Sequence, residues 1–343
     1  MKVLLYFEKA EKIKKSGIGR ALQHQIMALK SAGVDYTLDP KDTFDLAHVN
    51  TYFPASKRLV KRCKKKHIPV IVHGHSTKED FRDSFAFWRV MTWWFYPNLM
   101  WFYKHADFII TPTEYSKGLI ENYKKGVPVI NVSNGINPPE YAYSEENVKA
   151  FRDFFKFDDK TKVVMGAGFY FKRKGVHDFI EVARKFPDIK FVWFGYLRPL
   201  GRTHFIKKAM KHKPDNVYFP GYVPGPVMKG AFHCSECLFF PSYEENEGIV
   251  VLEGLACNRP VLLRDIGVYK GWTEDGVNCY KGKNNEEFVE KLQYILSHDN
   301  SEIVKNGQVL VEERTLDKVG LELKAAYEKV LKEYHKKKVR NNE

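Results

Sequence analysis

Two glutamates at a fixed spacing are the clearest sign of chemistry in this sequence. Glu245 and Glu253 lie eight positions apart in PSYEENEGIVVLEGLACNRPVL, the first in a loop after the apolar run CLFFP and the second in a helical pattern that Gly248 opens. The free N–H groups at a helix start attract anions. Three residues would supply them: Gly248, Ile249 and Val250. This arrangement suits a ligand that combines sugar hydroxyls, a ribose diol and phosphate. The alternative is a solvated acidic loop followed by an ordinary helix.

A glycine-containing segment follows the first apolar run of the chain. SGIGRALQHQIMALKSAG places Gly17 and Gly19 before a helical pattern, where glycine permits a tight turn and a close approach of backbone to a ligand. A dinucleotide-binding fingerprint would need a third glycine at the position of Leu22. The short motif alone therefore does not define a nucleotide site.

Short apolar runs alternate with helical patterns, as expected for parallel strands joined by helical crossovers. The runs that predict strands are KVLLYF, DLAHV, PVIVH, DFIIT and PVINV in the first half and KVVMGA, IKFVWF, NVYF, CLFFP and PVLL in the second. Helices are expected to begin near Gly17, Ala55, Ser84 and Glu114. The predicted fold class is α/β, with two doubly wound domains facing each other across a cleft, because open sheets bind ligands at the carboxyl ends of their strands.

The 343 residues suit two domains of roughly 150 residues each. We predict a first domain over 1–138, a second over 139–320, and a C-terminal helix with a basic tail over 321–343, with a hinge near Pro138 and Pro139. The amino terminus becomes charged after seven residues, so it is read as a first strand and not as a signal peptide. We therefore expect a cytoplasmic protein with five reduced cysteines. Cys234 and Cys237 form a lone CxxC pair, which is expected to pack and not to bind zinc.

Together these motifs resemble glycosyltransferase family 4, retaining enzymes with the GT-B fold of two facing Rossmann-like domains. The matching features are the paired glutamates, the turn NRPV, the loop SGIGR, the strand and loop GFYFKRKG, and NGIN, in which Asn137 stands where the family usually has Asp. The resemblance implies that Glu245 contacts the hydroxyls of a donor hexose and Glu253 the ribose of its nucleotide. Other residues expected at the donor site are Gly17, Gly248, Ile249 and Val250.

The resemblance also implies that the donor diphosphate is neutralised by cations of the protein. Lys174 matches the family's lysine, whereas Phe169 stands where the family usually has an arginine. Arg173 or Lys172 is expected to replace that arginine, because the charge of the leaving group must be stabilised. The segment FDDK is expected to be a surface turn and not a metal motif. We expect no metal and no cofactor; the UDP-sugar is a substrate.

Two histidines end the segment PVIVHGH. The following residues, HSTKEDF, resemble the segment after the acceptor-side histidine of bacterial glycolipid synthases in this family. That likeness selects His75 for a catalytic role near the reacting anomeric carbon, and His73 is expected to pack. Further segments with this likeness are SGIGRALQHQ, HVNTYFP and TPTEYSKGLIENY. They resemble the bacterial enzymes that add a second α-linked hexose to monoglucosyl-diacylglycerol. The resulting diglycosyl lipids anchor lipoteichoic acid in Gram-positive bacteria.

The segment from Ser84 to His105 holds four of the six tryptophans and almost no charge. Its length is close to that of a membrane-spanning helix, which needs about 20 residues. However, Arg89, Pro97 and Asn98 interrupt it, and tryptophan and tyrosine prefer the membrane interface. We predict two short helices, broken near Pro97, that contact lipid and admit the glucosyl headgroup; a buried core helix is the alternative. The tryptophans concerned are Trp88, Trp93, Trp94 and Trp101.

The formal net charge of +14 draws the protein to polyanions, either nucleic acid or an anionic membrane surface. Cations are concentrated in SKRLVKRCKKKH, which is predicted to be one helix. They include Lys57, Arg58, Lys61, Arg62 and Lys65. Polybasic helices near interfacial aromatics are typical of peripheral membrane proteins, and the alternative is a solvated helix surface. Nucleic acid is not expected, because RNA-binding aromatics usually lie on exposed strands and these are helical.

The predicted activity is transfer of glucose or galactose from UDP-glucose or UDP-galactose to glucosyl-diacylglycerol with retention of the anomeric configuration. No carboxylate is evidently placed as a covalent nucleophile, so the protein's share is alignment and stabilisation of charge. We expect the enzyme to bind the inner face of the cell membrane. Two alternatives stay open at this stage: a soluble or capsule-type acceptor, and a non-catalytic basic binding protein on the same scaffold.

Overall fold

The computed structural model describes residues 1–13, 16–123 and 126–340, which form two compact units. The first unit contains Met1–Lys78, Val90–Ile136 and the chain from Arg314 onward. The second contains Glu79–Arg89 and Asn137–Glu313. The sequence-based division differs from these units: it places Glu79–Arg89 in a domain over 1–138, residues up to 320 in the second domain, and 321–343 in a separate C-terminal segment.

The first unit is built on a parallel six-stranded sheet with the order β2-β1-β3-β4-β5-β6. Its strands are β1 (Lys2–Tyr6), β2 (Asp35–Thr37), β3 (Leu46–Val49), β4 (Val70–His73), β5 (Phe108–Thr111) and β6 (Val129–Asn131). The helices along this part of the chain are α1 (Ala10–Ile13), α2 (Gly17–Ser31), α3 (Pro54–Lys65), α4 (Lys78–Phe81), α5 (Trp88–His105) and α6 (Glu114–Tyr123). Strands β3, β4 and β5 are buried along their whole length, as expected where helices cover both faces of a parallel sheet.

The second unit has a parallel sheet of the same size, with the order β12-β11-β10-β7-β8-β9. Its strands are β7 (Val163–Ala167), β8 (Lys190–Phe194), β9 (Val217–Gly221), β10 (Ser235–Phe240), β11 (Val261–Arg264) and β12 (Tyr280–Gly282). Its helices are α7 (Glu145–Phe155), α8 (Val176–Ala183), α9 (His204–Lys211), α10 (Gly225–Cys234), α11 (Ile249–Ala256), α12 (Asn285–Ser297) and α13 (Ser301–Glu313). Short 3-10 turns lie at Pro138–Tyr141, Lys172–Lys174, Pro199–Gly201 and Gly267–Tyr269. The helix α14 (Leu316–Arg340) then returns the chain to the first unit.

Every strand predicted from an apolar run is present in one of the two sheets. The prediction omitted β2 and β12, whose three-residue sequences DYT and YKG contain no apolar run. The five cysteines are free and buried, so Cys234 and Cys237 are packing residues, as expected.

The predicted break near Pro97 is wrong, because α5 continues through this proline. A proline inside a helix removes one N–H donor and costs about 3 kcal/mol. The turns after Pro97 place Leu99, Phe102 and Tyr103, all fully buried, in the core of the first unit. Burying three large side chains stabilises by more than the proline costs, since each contributes about 1.5–3 kcal/mol.

The C-terminal helix α14 is a structural part of the first unit. Its buried side chains pack with α2 and the sheet, and they include Val319, Leu323 and Tyr327. Gly320 allows this approach, because any Cβ at that position would collide with the carbonyl oxygen of Ala28. Within the described residues, no helix combines the length and the apolar character needed to cross a membrane.

Candidate active site

The loops after β7 and β10 meet in the second unit because these strands are neighbours in the sheet. The loop after β7 ends at Gly175, which has a φ of 73°. A Cβ at Gly175 would overlap the carbonyl oxygen of Pro241 in the other loop. Glycine is therefore required for both the backbone conformation and the contact between the two loops.

Lys174 and Glu245 form an ion pair at this contact, in which Lys174 Nζ lies against Glu245 Oε1. The same oxygen lies 3.7 Å from Arg173 Nη1 and accepts a hydrogen bond of 2.6 Å from Ser242 Oγ. The exposed fractions of the lysine, arginine and glutamate side chains are only 15, 12 and 8%. Two buried cations therefore lie beside this carboxylate, with Asp80 as a further acidic group that acts on Lys174, and buried cations suit an anionic ligand.

The pKa values of this pair follow from burial and from the neighbouring charges. Burial alone would raise the pKa of Glu245, but Lys174 and Arg173, together with the hydrogen bonds, lower it below its ordinary value of 4.5. Burial lowers the pKa of Lys174, although the glutamate opposes this change. Glu245 is therefore an ionised hydrogen-bond acceptor at neutral pH.

Arg173, and not Lys172, lies beside Glu245. Its guanidinium also donates to the carbonyl oxygen of Glu244 at 2.8 Å and to Ser84 Oγ at 3.0 Å. Lys172 instead places Nζ over the ring of Phe205, 5.7 Å from the centroid. Between the two expected replacements for the family's arginine, the structure thus brings Arg173 to the site. Phe169, at the position of that arginine, packs against Phe171.

Helix α11 begins next to this ion pair, as the sequence predicts. Gly248 precedes the helix with a φ of 88°, and Ile249 and Val250 form its first turn. Glu253 lies in the same helix and is 7% exposed. Its Oε1 accepts a hydrogen bond of 2.8 Å from Tyr141 Oη. The segment after NGIN therefore holds the second glutamate in place.

Gly17 and His75 lie in the first unit, whereas the other residues expected at the donor site are in the second. Gly17 is exposed and begins α2, whose first turn is capped by the Ser16 hydroxyl through the N–H of Gly19. His75 follows β4 by two residues, and its Nε2 lies 2.7 Å from Asn50 Oδ1. Its ring stacks on His73 at 3.9 Å, and burial lowers the pKa of His75 to about 3. His75 is therefore a neutral imidazole.

The four tryptophans of the aromatic segment do not share one environment. Trp93 and Trp94 are 87 and 61% exposed, and Phe87 and Val90 beside them are exposed as well. Trp88 is half-buried. Trp101 is also half-buried, stacks on the ring of His105 at 4.1 Å and packs against the core of the first unit. Exposed and packed aromatic side chains thus occur at different positions of one helix, and contact of the exposed ones with lipid stays a prediction.

Helix α3 has one buried and one basic face. Ser56, Leu59, Val60 and Cys63 are buried. The exposed cations are Arg58, Lys61, Arg62 and Lys65. Lys57 is half-buried and places Nζ 4.4 Å from the ring centroid of Trp101. This geometry connects the basic helix to the aromatic one.

Several site residues escaped the sequence analysis. Ser242 and Asn50 each follow a buried strand, a position from which they could have been identified. Tyr141 and Ser84 gave no local signal, because their partners lie 112 and 89 residues away in sequence. Asp80, on the segment that packs with the second unit, accepts a hydrogen bond of 2.7 Å from Asn246. Among the described residues there is no cluster of three or more His, Cys, Asp or Glu arranged to hold a metal ion.

Comparison with known proteins connects this fold and site to a class of enzymes. The family model "Glycosyltransferase Family 4" matches residues 17–139 and "Glycosyl transferases group 1" matches residues 147–309. The solved structures of Anabaena Alr3699/HepE in complex with UDP and glucose and of sucrose-phosphate synthase from Thermosynechococcus elongatus have TM-scores of 0.75 and 0.78, at 15 and 14% identity. Each covers 96% of this chain, with 100 and 99% of the other chain aligned. The predicted GT-B fold is confirmed.

Two curated relatives narrow the class. The chain is 54% identical to the processive diacylglycerol alpha-glucosyltransferase of Acholeplasma laidlawii, over 97% of this chain and 99% of the relative. It is 32% identical to the alpha-galactosylglucosyldiacylglycerol synthase of Streptococcus pneumoniae, over 49% of this chain and 46% of the relative. The chain therefore belongs to the group 1 and family 4 glycosyltransferases and is an enzyme of glycosyl transfer.

Proposed function

We propose that the chain transfers α-linked hexose from a UDP-sugar to glucosyl-diacylglycerol, with retention of configuration, to form a diglycosyl-diacylglycerol. The observation that carries this proposal is 54% identity to a processive diacylglycerol alpha-glucosyltransferase along nearly the whole of both chains. That relative favours UDP-glucose as the donor. UDP-galactose is the second candidate, because the Streptococcus pneumoniae relative is an alpha-galactosylglucosyldiacylglycerol synthase.

In this proposal the buried ion pair binds the donor. Glu245 accepts hydrogen bonds from the hexose hydroxyls, and Glu253 binds the ribose. Lys174 and Arg173 neutralise the diphosphate, together with the N–H groups at the start of α11. The two cations beside Glu245 support stabilisation of the leaving group by the protein itself, without a metal ion. His75 acts near the anomeric carbon, and the departing phosphate accepts the proton of the acceptor hydroxyl.

The same proposal includes peripheral binding to the inner face of the cell membrane. The exposed Trp93 and Trp94 would enter the interface, where aromatic rings are favoured. The exposed cations of α3 would add about 1 kcal/mol each near an anionic leaflet. Two such weak signals are what reversible membrane binding usually needs.

Product analysis tests this function. The protein is incubated with UDP-glucose or UDP-galactose and with diacylglycerol or glucosyl-diacylglycerol, with and without EDTA, and the lipids are identified by mass spectrometry and linkage analysis. We expect a diglycosyl lipid with an α-linkage, formed equally well in EDTA, and none from Glu245→Gln. Transfer only to water-soluble sugars would support the soluble-acceptor alternative. Failure to transfer or hydrolyse any UDP-hexose would support the binding-protein alternative.

A further inference from the structure

A network of buried polar side chains is connected to His75 in the first unit. Its members come from β3 and β4, the residues that follow them, and the helices α2 and α14. They are Gln25, His48, Asn50, His73 and Tyr327, each no more than 3% exposed. Buried polar groups of this kind are normally held by a complete set of hydrogen bonds, and such a network imposes one arrangement on its members.

Nearest to His75, the network consists of the side-chain amides of Asn50 and Gln25. Oδ1 of Asn50 lies 2.7 Å from His75 Nε2 and 3.0 Å from Gln25 Nε2. Gln25 Nε2 also lies 3.2 Å from His73 Nδ1. Asn50 Oδ1 thus contacts two nitrogen atoms, those of His75 and Gln25. Gln25 Nε2 contacts Asn50 Oδ1 and His73 Nδ1.

The remaining contacts lead to the C-terminal helix. His73 Nδ1 lies 3.1 Å from His48 Nε2. His48 Nδ1 in turn lies 2.8 Å from Tyr327 Oη, on α14. The His73 ring stacks between its neighbours, 5.2 Å from the His48 ring and 3.9 Å from the His75 ring. The three imidazoles therefore act as one packed group.

The orientation of the Asn50 amide determines which nitrogen atoms of this network carry hydrogen. Asn50 Nδ2 lies 3.5 Å from the carbonyl oxygen of His48, where only a donor is suitable. Oδ1 must then face Gln25 and His75 as an acceptor, so His75 Nε2 carries a hydrogen. The amide of Gln25 donates its second hydrogen to His73 Nδ1, which must be bare.

The same logic extends to the other two imidazoles. Because His73 Nδ1 is bare, His48 Nε2 must donate to it. His48 Nδ1 is then bare and accepts the hydrogen of the Tyr327 hydroxyl. One assignment, with the hydrogen on Nε2 of every ring, places a donor opposite an acceptor in all five contacts without any positive charge. The single lone pair of His73 Nδ1 is then shared by two donors, and His73 Nε2 and Gln25 Oε1 are buried with no hydrogen-bond partner in the described part of the chain.

We propose that Asn50, supported by Gln25, is a positioning residue that holds His75 as the neutral tautomer with its hydrogen on Nε2. The basic nitrogen of His75 is then Nδ1, so this nitrogen is a hydrogen-bond acceptor and not a cationic donor. The catalytic consequence rests on the proposed function, whereas the tautomer itself does not. This arrangement gives a reason for the buried His48 and His73 in the sheet and for the buried Asn50 and Gln25 that contact them.

Burial supports the neutral form. It lowers the pKa of His48 to about 3 and that of His73 well below the ordinary value. The titratable groups seen to contact these two rings within the described residues are the rings themselves, the His75 imidazole and the Tyr327 hydroxyl. None of these groups supplies a negative charge at neutral pH, because burial also raises the pKa of Tyr327.

Nuclear magnetic resonance tests the tautomer without any substrate. Multiple-bond hydrogen–nitrogen spectra of the full chain, labelled with nitrogen-15 in histidine, distinguish a bare ring nitrogen from one that carries hydrogen. The signals of His75 are those that disappear in His75→Gln. We expect a bare Nδ1 and a protonated Nε2 at pH 7. Hydrogen on Nδ1, or on both nitrogens, would overturn the proposal, whatever the enzyme's substrate proves to be.

A pair of variants tests the effect on catalysis. Asn50→Ala removes the acceptor and is expected to lower kcat about tenfold, the effect of one hydrogen bond of ordinary strength. Asn50→Asp places a carboxylate against His75 and stabilises the imidazolium, so its kcat should rise with pH where the parent enzyme is flat. Asn131→Asp, at an exposed position of the first unit, is the matched control and should show neither effect. If kcat of Asn50→Asp were reduced by the same factor at every pH, the positioning role would be overturned.

Discussion

Lys174 and Glu245 form a buried ion pair between two loops that are 71 residues apart in sequence. Both side chains are withdrawn from water, with exposed fractions of 15 and 8%. Breaking such a pair by removing one partner typically costs about 3–5 kcal/mol, since the other charge stays buried. The pair therefore connects the stability of the second unit to the chemistry proposed for it.

Glu245→Gln should abolish most transfer while the protein stays folded. Glutamine has nearly the same volume and can still accept from Ser242, but it no longer compensates the charges of Lys174 and Arg173. We expect kcat for hexose transfer to fall about 100-fold or more, in line with the loss of a preorganised polar group in other active sites. Glu290→Gln, at an exposed position of α12, is the control for a lost carboxylate. Full activity of the Glu245 variant would remove this residue from the site.

Tyr141→Phe should loosen Glu253 without changing the volume of the side chain. The variant loses the 2.8 Å hydrogen bond to the carboxylate. We expect the free energy of unfolding to fall by about 1 kcal/mol, measured in urea, and KM for the UDP-sugar to rise more than kcat falls. Tyr143→Phe serves as the control, because Tyr143 is 66% exposed. If both variants bind the donor equally well, the contact is not important for binding.

The exposed tryptophans should control binding to lipid vesicles. Replacing Trp93 and Trp94 together by serine is expected to weaken binding to phosphatidylglycerol vesicles about tenfold or more, because their rings are available to the interface. The control for a lost exposed apolar side chain is Leu321→Ser, on α14. Trp101→Leu should lower the melting temperature and leave vesicle binding nearly unchanged, because Trp101 packs against the first unit. Equal loss of binding in the Trp101 variant would contradict this division.

Acid should destabilise the first unit well before its carboxylates titrate. Burial lowers the pKa of His48 and His75 from 6.5 to about 3, so between these values the unfolded chain binds more protons than the folded one. The free energy of unfolding must then fall as the pH drops below 6.5.

Glu245, whose pKa is lowered below 4.5, adds stability that is present above that value and is lost as the pH falls further.

Urea unfolding between pH 7 and pH 5 measures this effect. His48→Asn should reduce the slope of unfolding free energy against pH, whatever its effect on stability at pH 7. His204→Asn removes an exposed histidine and should leave the slope unchanged. Identical slopes in both variants would show that His48 is not a neutral buried group.

Much of the fold could be predicted from local patterns. A buried parallel strand is a continuous apolar run, so segments such as those of β4, β5 and β10 are recognisable without their partners. The continuous helix through Pro97 could not be predicted in this way. The cost of a proline is local, whereas the packing of Phe102 and Tyr103 that offsets it depends on distant strands. The donor site was partly predictable, since Glu245 and Glu253 are close in sequence and follow a strand.

The sequence by itself determined the alternation of strands and helices, the spacing of the two glutamates, the basic face of α3 and the uncharged aromatic segment. Only the tertiary structure decided that Arg173 and not Lys172 reaches Glu245, that Tyr141 binds Glu253, and that Trp93 is exposed where Trp101 is packed. It also joined His75 to a network that ends on α14. The physical reason is range: hydrophobic periodicity is a property of neighbouring residues, whereas a hydrogen bond of about 3 Å between residues a hundred or more positions apart exists only once the whole core has folded.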